Sequence, residues 1–461
     1  MAIGTNYLNK PLAPFTRPAW TPAVMPTQLG PIDLPQESFR FSAAPAPMPT
    51  AAVETAPPVV NAPETVMVAK KPASNPTPAT LFMEAPTPEI NAEKPGQSFL
   101  AKSLVQHFES KLLENPQAQA ALEKWTPEQR AQLDNLISHP SMEESFAHSG
   151  RHTPSNSIGL LPDLIASGRL LNADKKGKTT LDHLSELQNQ PLDENLKKGV
   201  VVSELLANIH HPGEINQRNR GTCTVTTIEY FHASQQPSDY ARLVKELVHE
   251  DGKAHFQTGK VCWVNPTGVK EDHSGRSSVD RIYQSSMMQA AYDGRALYNN
   301  LNDSFWTIGW TRQWRDSGLS HEHSGQLMEK ALGTPTQVME YEGNQKRFEA
   351  DIKRAHNLGQ TVFVAMRWSP DADDKHANHA LAIEKIEGDK VYLRNPWGDG
   401  ETGGDSGPPR ELIGEKGEVV MSKQDFFARL NGAIRPQRNF FNVWANRVRY
   451  HFGGDEAIKK G

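Results

Sequence analysis

The chain is poor in cysteine: two thiols, Cys223 and Cys262, serve 461 residues. Two cysteines build no disulfide framework and supply too few ligands for a cysteine-based zinc site. A reducing location or a chemical role suits them better. No apolar run is long enough to cross a bilayer, which predicts no membrane span. The N-terminal stretch, MAIGTNYLNKPLAPFTRPAW, lacks the apolar centre of a secretory signal. Positive charge is not in excess either. With 49 Lys+Arg against 54 Asp+Glu the net charge is −5, so the basic footprint of a nucleic-acid binder is missing. These absences predict a cytoplasmic protein, with export by a signal-peptide-independent route as the alternative.

Proline is unevenly spread. Nineteen of the 34 prolines fall within residues 1–95, among many Ala and Thr. Proline fixes φ and removes a backbone donor, so neither helix nor sheet runs through such a segment. Residues 1–95 therefore read as a disordered tail. From Gly96 the pattern changes. Phe99, Leu100, Leu104, Val105, Phe108 and Leu112 fall on one helical stripe. Thr126 followed by Pro127 reads as an N-cap and first helical residue. Further helical patterns fill LLPDLIASGRLL and DHLSELQNQ, so residues 96–200 form a helical region without recognisable chemistry. GKTT at 177–180 is no phosphate loop, because position 172 is Asn where that motif needs Gly.

Residues 201–450 read as one mixed domain. SDYARLVKELVHEDG predicts a capped helix ending at Gly252, and AHFQTGKVCWV two short strands around Thr258-Gly259. NQKRFEADIKRAHNLG predicts a helix and TVFVAMRW a strand. HALAIEKIEGDKVYLRNP predicts a hairpin turning at Gly388-Asp389. Helices first and antiparallel strands afterwards give an α+β class. The histidines of SHEHSG, His321 and His323, read as a solvated loop, and His376 as part of the cleft rim. The glycine-rich run 398–409 reads as a loop beside the site.

Chemistry concentrates in three places. INQRNRGTCTVTTIEYF holds Gln217 and, six residues on, Cys223. Val225, Ile228 and Phe231 recur at helical spacing after it, so Cys223 begins a helix despite the β-branched residues that follow. His379 opens the first hairpin strand and Asn395 closes the second, so antiparallel pairing brings them together. A thiolate nucleophile needs an imidazole to take its proton, and an amide fixes that imidazole's tautomer. A helix N-terminus adds positive potential at the sulfur, so Cys223 is expected to have a lowered pKa. The backbone N–H of Cys223 and the amide of Gln217 are candidate oxyanion donors. Cys262, within the apolar pattern KVCWV, reads as a core residue.

Gln-x5-Cys, then Asn-His-Ala, then Asn-Pro-Trp-Gly, in that order, resembles the papain-like cysteine peptidases. LRNPWG at 393–398 and GEVVMSKQDFFARL at 417–430 resemble the calpain-type catalytic core more narrowly. The resemblance spans about residues 200–450. It implies a papain-like fold, with a helical lobe and an antiparallel β lobe. Cys223 would be the nucleophile, His379 the base, Asn395 its orienting partner and Gln217 an oxyanion donor, with Trp397 shielding the His–Asn bond. Thr224 stands where such peptidases usually carry Trp, Asn378 precedes the histidine as in papain relatives, and Cys223 and His379 lie 156 residues apart. No calcium loops are recognisable, so calcium control is not carried over. The expected activity is cysteine endopeptidase cleavage of a protein or peptide substrate, without cofactor or metal. The alternatives are a transglutaminase, deamidase or acyltransferase on the same triad, or an inactive peptidase-fold binding module.

Overall fold

The computed structural model describes residues 99–144, 154–293, 295–307, 313–314, 318–368, 378–398, 408–413 and 417–437. All of them belong to the unit Leu81–Gly461. The proline-rich stretch 1–95, His376 and most of the glycine-rich run lie outside the described residues.

Helices come first: α1 (Phe99–Leu113), α2 (Pro116–Leu122), α3 (Pro127–Ser138), α4 (Pro140–Glu144), α5 (Pro154–Gly159), α6 (Leu161–Ala166), α7 (Thr180–Asn189) and α8 (Lys198–His210). Local chemistry sets several of their starts. Thr126 caps α3 ahead of Pro127, as the sequence predicted, and Gln129 completes a reciprocal capping box with it. Thr179 and Asp182 do the same for α7, so the GKTT segment is a turn and a cap. On α1, Leu104 and Phe108 of the predicted stripe are buried.

Helices α9 (Cys223–Gln235) and α10 (Pro237–Val248) follow, then the hairpin β1 (Lys253–His255) and β2 (Val261–Trp263). α10 ends four residues before Gly252, where the sequence placed its end. The reason is pairing: His249 is extended and bridges Leu192, and Asp193 N–H donates to the Val248 carbonyl. Gly252, at φ +56°, then turns the chain into β1. Helix α11 (Ser278–Ala290) precedes a small antiparallel sheet of β3 (Ala296–Asn299), β4 (Ser304–Thr307) and β5 (Gln313–Trp314).

Helix α12 (His321–Leu332) is a second correction: SHEHSG, read as a loop, opens a helix. Ser320 caps it by accepting from His323 N–H, and Leu327, Met328, Ala331 and Leu332 bury its inner face. The remaining elements are β6 (Thr336–Glu340), α13 (Gln345–Asn357), β7 (Val362–Arg367), β8 (Asn378–Glu387), β9 (Lys390–Arg394), β10 (Glu411–Leu412), β11 (Glu418–Ser422), α14 (Lys423–Arg429) and β12 (Leu430–Pro436). Their strands form one antiparallel sheet, ordered β10-β11-β9-β8-β7-β12-β6. The chain is thus mixed α+β, with helices and antiparallel sheets.

Alternation along the strands divides the apolar residues between two cores. Val362, Val364 and Met366 of β7, with Leu381 and Ile383 of β8, join Phe348 and Ile352 of α13 and Phe426 of α14. Their neighbours Phe363, Ala380 and Ala382 face the other way, into the core shared by the helices from α1 to α12. Helix α8 crosses residue 200, so the helices on both sides of that boundary pack on common ground. Within this core Val225 and Ile228 are fully buried and Phe231 nearly so. Burial of that face, rather than intrinsic propensity, holds the β-branched α9 in helical form. Ile228→Ala should therefore destabilise the protein by about 2–5 kcal/mol. Urea unfolding measures it, and a cost below about 1 kcal/mol would mean that α9 is not anchored this way.

Candidate active site

Asn378 and His379 open β8, and Asn395 follows directly on β9. The β8–β9 ladder, with Ala382 opposite Arg394, brings the two ends together. His379 Nε2 and Asn395 Oδ1 are 2.8 Å apart, and the same oxygen accepts from Trp397 N–H at 3.1 Å. With that oxygen an acceptor, Nε2 carries the proton and Nδ1 is the ring nitrogen left to act as base. Trp397 stacks on His379, with centroids 3.8 Å apart and planes 15° apart. Trp368 meets both rings edge-on, at 4.9 Å and 5.4 Å. This aromatic cover leaves His379 3% exposed and Asn395 1% exposed.

Cys223 is the first residue of α9. Thr222 precedes it but does not cap the helix with its side chain; its hydroxyl donates to Gln284 Oε1 instead. The sulfur of Cys223 lies against the backbone N–H of Ala380, the residue after His379. Cys223, Thr224, His379 and Ala380 line one cleft of about 260 Å³, together with Leu319, His321 and Phe363. The structure thus brings Cys223, His379, Asn395 and Trp397 into one neighbourhood, where the two cores meet.

Gln217 is joined to it differently. Its backbone N–H donates to Pro396 O at 2.8 Å, next to Asn395. Its side-chain Nε2 donates to Arg220 O at 2.6 Å, and its Oε1 is buried without a hydrogen-bond partner. One amide hydrogen is therefore committed within the loop, leaving the second for an oxyanion. Gln217 is not among the residues lining the cleft. Arg218, at φ +52°, shows that this loop is held in a conformation few non-glycine residues adopt.

Several residues that hold this loop were not singled out in the sequence. Asp303, from the turn between β3 and β4, accepts from Gly221 N–H at 2.7 Å and from the Tyr298 hydroxyl at 2.6 Å. Arg220 donates to the carbonyl of Asp272, whose carboxylate pairs with buried Arg276. Gln284 spans Asn216 O and Glu229 of α9. These residues come from separate segments, so no local spacing links them. His321, which bonds Glu340 and lines the cleft, was missed because its segment read as a loop.

Electrostatics correct one expectation. Burial pushes the Cys223 thiol up, against a smaller pull from the backbone N–H groups of Ala380, Thr224 and Cys223. Burial likewise lowers His379 to about 4, with the Asn395 hydrogen bond opposing and the Arg410 charge adding to the fall. Burial of both groups thus opposes the lowered thiol expected from the helix N-terminus. Desolvation of two charges outweighs the helix dipole here. Cys262 is buried in the core as expected, and burial pushes it up to about 12. Among the described residues no cluster of three or more His, Cys, Asp or Glu could hold a metal ion. No helix among them is long and apolar enough to cross a membrane. The chain matches no family model and no curated protein.

His379 gives a pH prediction. Its folded pKa lies below the unfolded value of about 6.5, so the unfolded chain takes the proton first. Stability from this group is full above about pH 6.5 and is lost as pH falls toward 4, by on the order of 3 kcal/mol. His379→Gln should lack that share of the acid loss. Urea unfolding at pH 7.5 and 4.5 compares the two proteins (both values chosen to bracket roughly the titration range). Equal acid losses would contradict a buried neutral His379.

Proposed function

We propose that this chain is a papain-like cysteine endopeptidase, nearest in its motifs to the calpain-type core, with Cys223, His379 and Asn395 as its triad. One observation carries the reading: His379 is bonded to Asn395 under a stacked Trp397 and shares a cleft with Cys223 at a helix N-terminus. Motif order supports it independently, since Gln217, Cys223, His379 and Asn395 follow one another as in that class.

The chemistry is acyl transfer. Cys223 Sγ attacks the carbonyl carbon of a peptide bond while His379 Nδ1 takes the thiol proton. Because burial disfavours the charged forms of both groups, proton transfer accompanies attack. The carbonyl oxygen becomes an oxyanion, to which the Cys223 N–H and the second amide hydrogen of Gln217 donate. Collapse breaks the C–N bond, and the leaving amine receives the proton from His379. Water then gives a proton to His379, adds to the thioester, and releases the carboxylate product and the thiol. Asn395 keeps the proton on Nε2, and Trp397 keeps water off that hydrogen bond.

The binding-module reading has one observation in its favour: the Gln217 amide is already engaged by Arg220 O. Incubation with a peptide library and mass-spectrometric readout separates the possibilities, using Cys223→Ala as the blank. Cleaved peptides that vanish with Cys223→Ala and with His379→Ala are expected. Modified glutamines would point to a transglutaminase or deamidase, and no Cys223-dependent product to a binding module. Gln217→Ala should cost about 100- to 1000-fold in turnover. Asn395→Ala should leave residual activity, because Asn395 orients the base without reacting. Wild-type rates in Cys223→Ala would refute the triad.

A further inference from the structure

Two short hairpins beside α11 turn aromatic and aliphatic side chains outward. In β2 the buried Cys262 faces α11, its sulfur 4.0 Å from Ser286 O, so Val261 and Trp263 alternate to the solvent side. In β3 Ala296 and Tyr298 are buried, and Leu297 alternates outward opposite Trp306 of β4. Trp263 is 55% exposed and Trp306 43%. Asn265 joins the two hairpins: its N–H donates to the Ser286 hydroxyl, and its side-chain amide donates to Tyr298 O at 2.6 Å. Exposed apolar groups gathered on neighbouring elements mark an interaction surface.

Charge and position decide what this surface takes. Lys253 stands over the Trp263 ring, 5.8 Å from its centroid. Lys260 precedes Val261, and Arg295 lies two residues before Leu297. All three cations are exposed, and none forms an ion pair among the described residues. Asp293, within Coulomb range of Lys260 and Arg295, is bonded to Lys330 instead. The strip also runs up to the candidate site. Exposed Leu301 stands in the β3–β4 turn, and Asp303 of that turn accepts from Gly221 N–H, two residues before Cys223. The path from Cys223 through this contact to Trp306 is at most roughly 20 Å, about six residues of extended chain. A lipid surface or a second copy needs no such continuity with the cleft, whereas a substrate chain does. We infer, on the peptidase reading above, that this strip is an exosite for the substrate protein. It binds an apolar segment flanked by Asp or Glu, about six residues from the bond presented to Cys223. Apolar side chains of that segment cover Leu297 and Trp306, and its carboxylates meet Lys260 and Arg295.

Fluorescence anisotropy with the full-length Cys223→Ala protein tests this without turnover, so failure of the exosite and failure of the peptidase reading are told apart. The probes are fluorescein-labelled peptides with one Leu/Phe core flanked by Glu, by Gln or by Lys. The Glu-flanked peptide should bind at least about tenfold more tightly than the Lys-flanked one. Trp306→Ala should weaken that binding at least about tenfold. Lys260→Glu combined with Arg295→Glu should reverse the flank preference. These side chains are exposed, and unchanged urea unfolding checks that the variants fold. In the wild-type protein, joining the Glu-flanked core to a peptide that is cleaved should raise kcat/KM at least about tenfold, a gain lost in Trp306→Ala. Equal binding of the three peptides, a preference for Lys flanks, or binding that survives both variants would overturn the inference. So would attachment of this face to phosphatidylserine vesicles or to a second copy of the chain in place of the peptide.

Discussion

The hydrogen bond between His379 and Asn395 is the contact on which the rest of the site depends. It fixes which imidazole nitrogen carries the proton, and so which one faces the cleft. It exists because β8 and β9 pair in a register that closes their far ends. It persists because Trp397 and Trp368 enclose the imidazole. The same enclosure lowers the basicity of His379. A site built this way holds the imidazole in one orientation and disfavours its charged form.

Cys223, the proposed nucleophile, is positioned by a different kind of force. Under α9 lies a polar network buried in an apolar core. Glu229 accepts from the Tyr240 hydroxyl and from Gln284, and Asn208 donates to both Tyr240 and Asp280. Burial, with the Coulomb repulsion of Asp280, holds Glu229 far above the ordinary carboxylate range. Burial also raises Asp280. Hydrogen bonds on several sides are what lets such groups tolerate a dry core. Gln284 connects this network to Thr222 and Asn216, and Asp303 fixes Gly221. These bonds tie the loop before Cys223 to α11 and to the β3–β4 turn.

The sequence made periodic and paired features legible. Val225, Ile228 and Phe231 marked the buried face of α9, Thr126 marked a cap, and the Gly388-Asp389 turn placed His379 beside Asn395. Each of these rests on spacing within a few residues or on one hairpin. Three things were not legible. The end of α10 depends on Leu192, far away in sequence, bridging His249. The helix at His321 was hidden by polar residues in its first turn, although Ser320 stood ready as its cap. The protonation states of Cys223 and His379 depend on how completely other segments cover them, which no local motif encodes. Contacts with segments distant in sequence decided the first and the last.

The account rests on His379 acting on Cys223, and the reactivity of that thiol measures it directly. Iodoacetamide alkylation across a pH series, read by peptide mapping, follows Cys223 and Cys262 together. Cys223 should react at neutral pH while buried Cys262 stays unmodified, because His379 can accept the proton of only the first. In His379→Ala the Cys223 reaction should slow by at least about tenfold near neutrality and shift to alkaline pH. A Cys223 profile that ignores the loss of His379, or preferential modification of Cys262, would contradict the account.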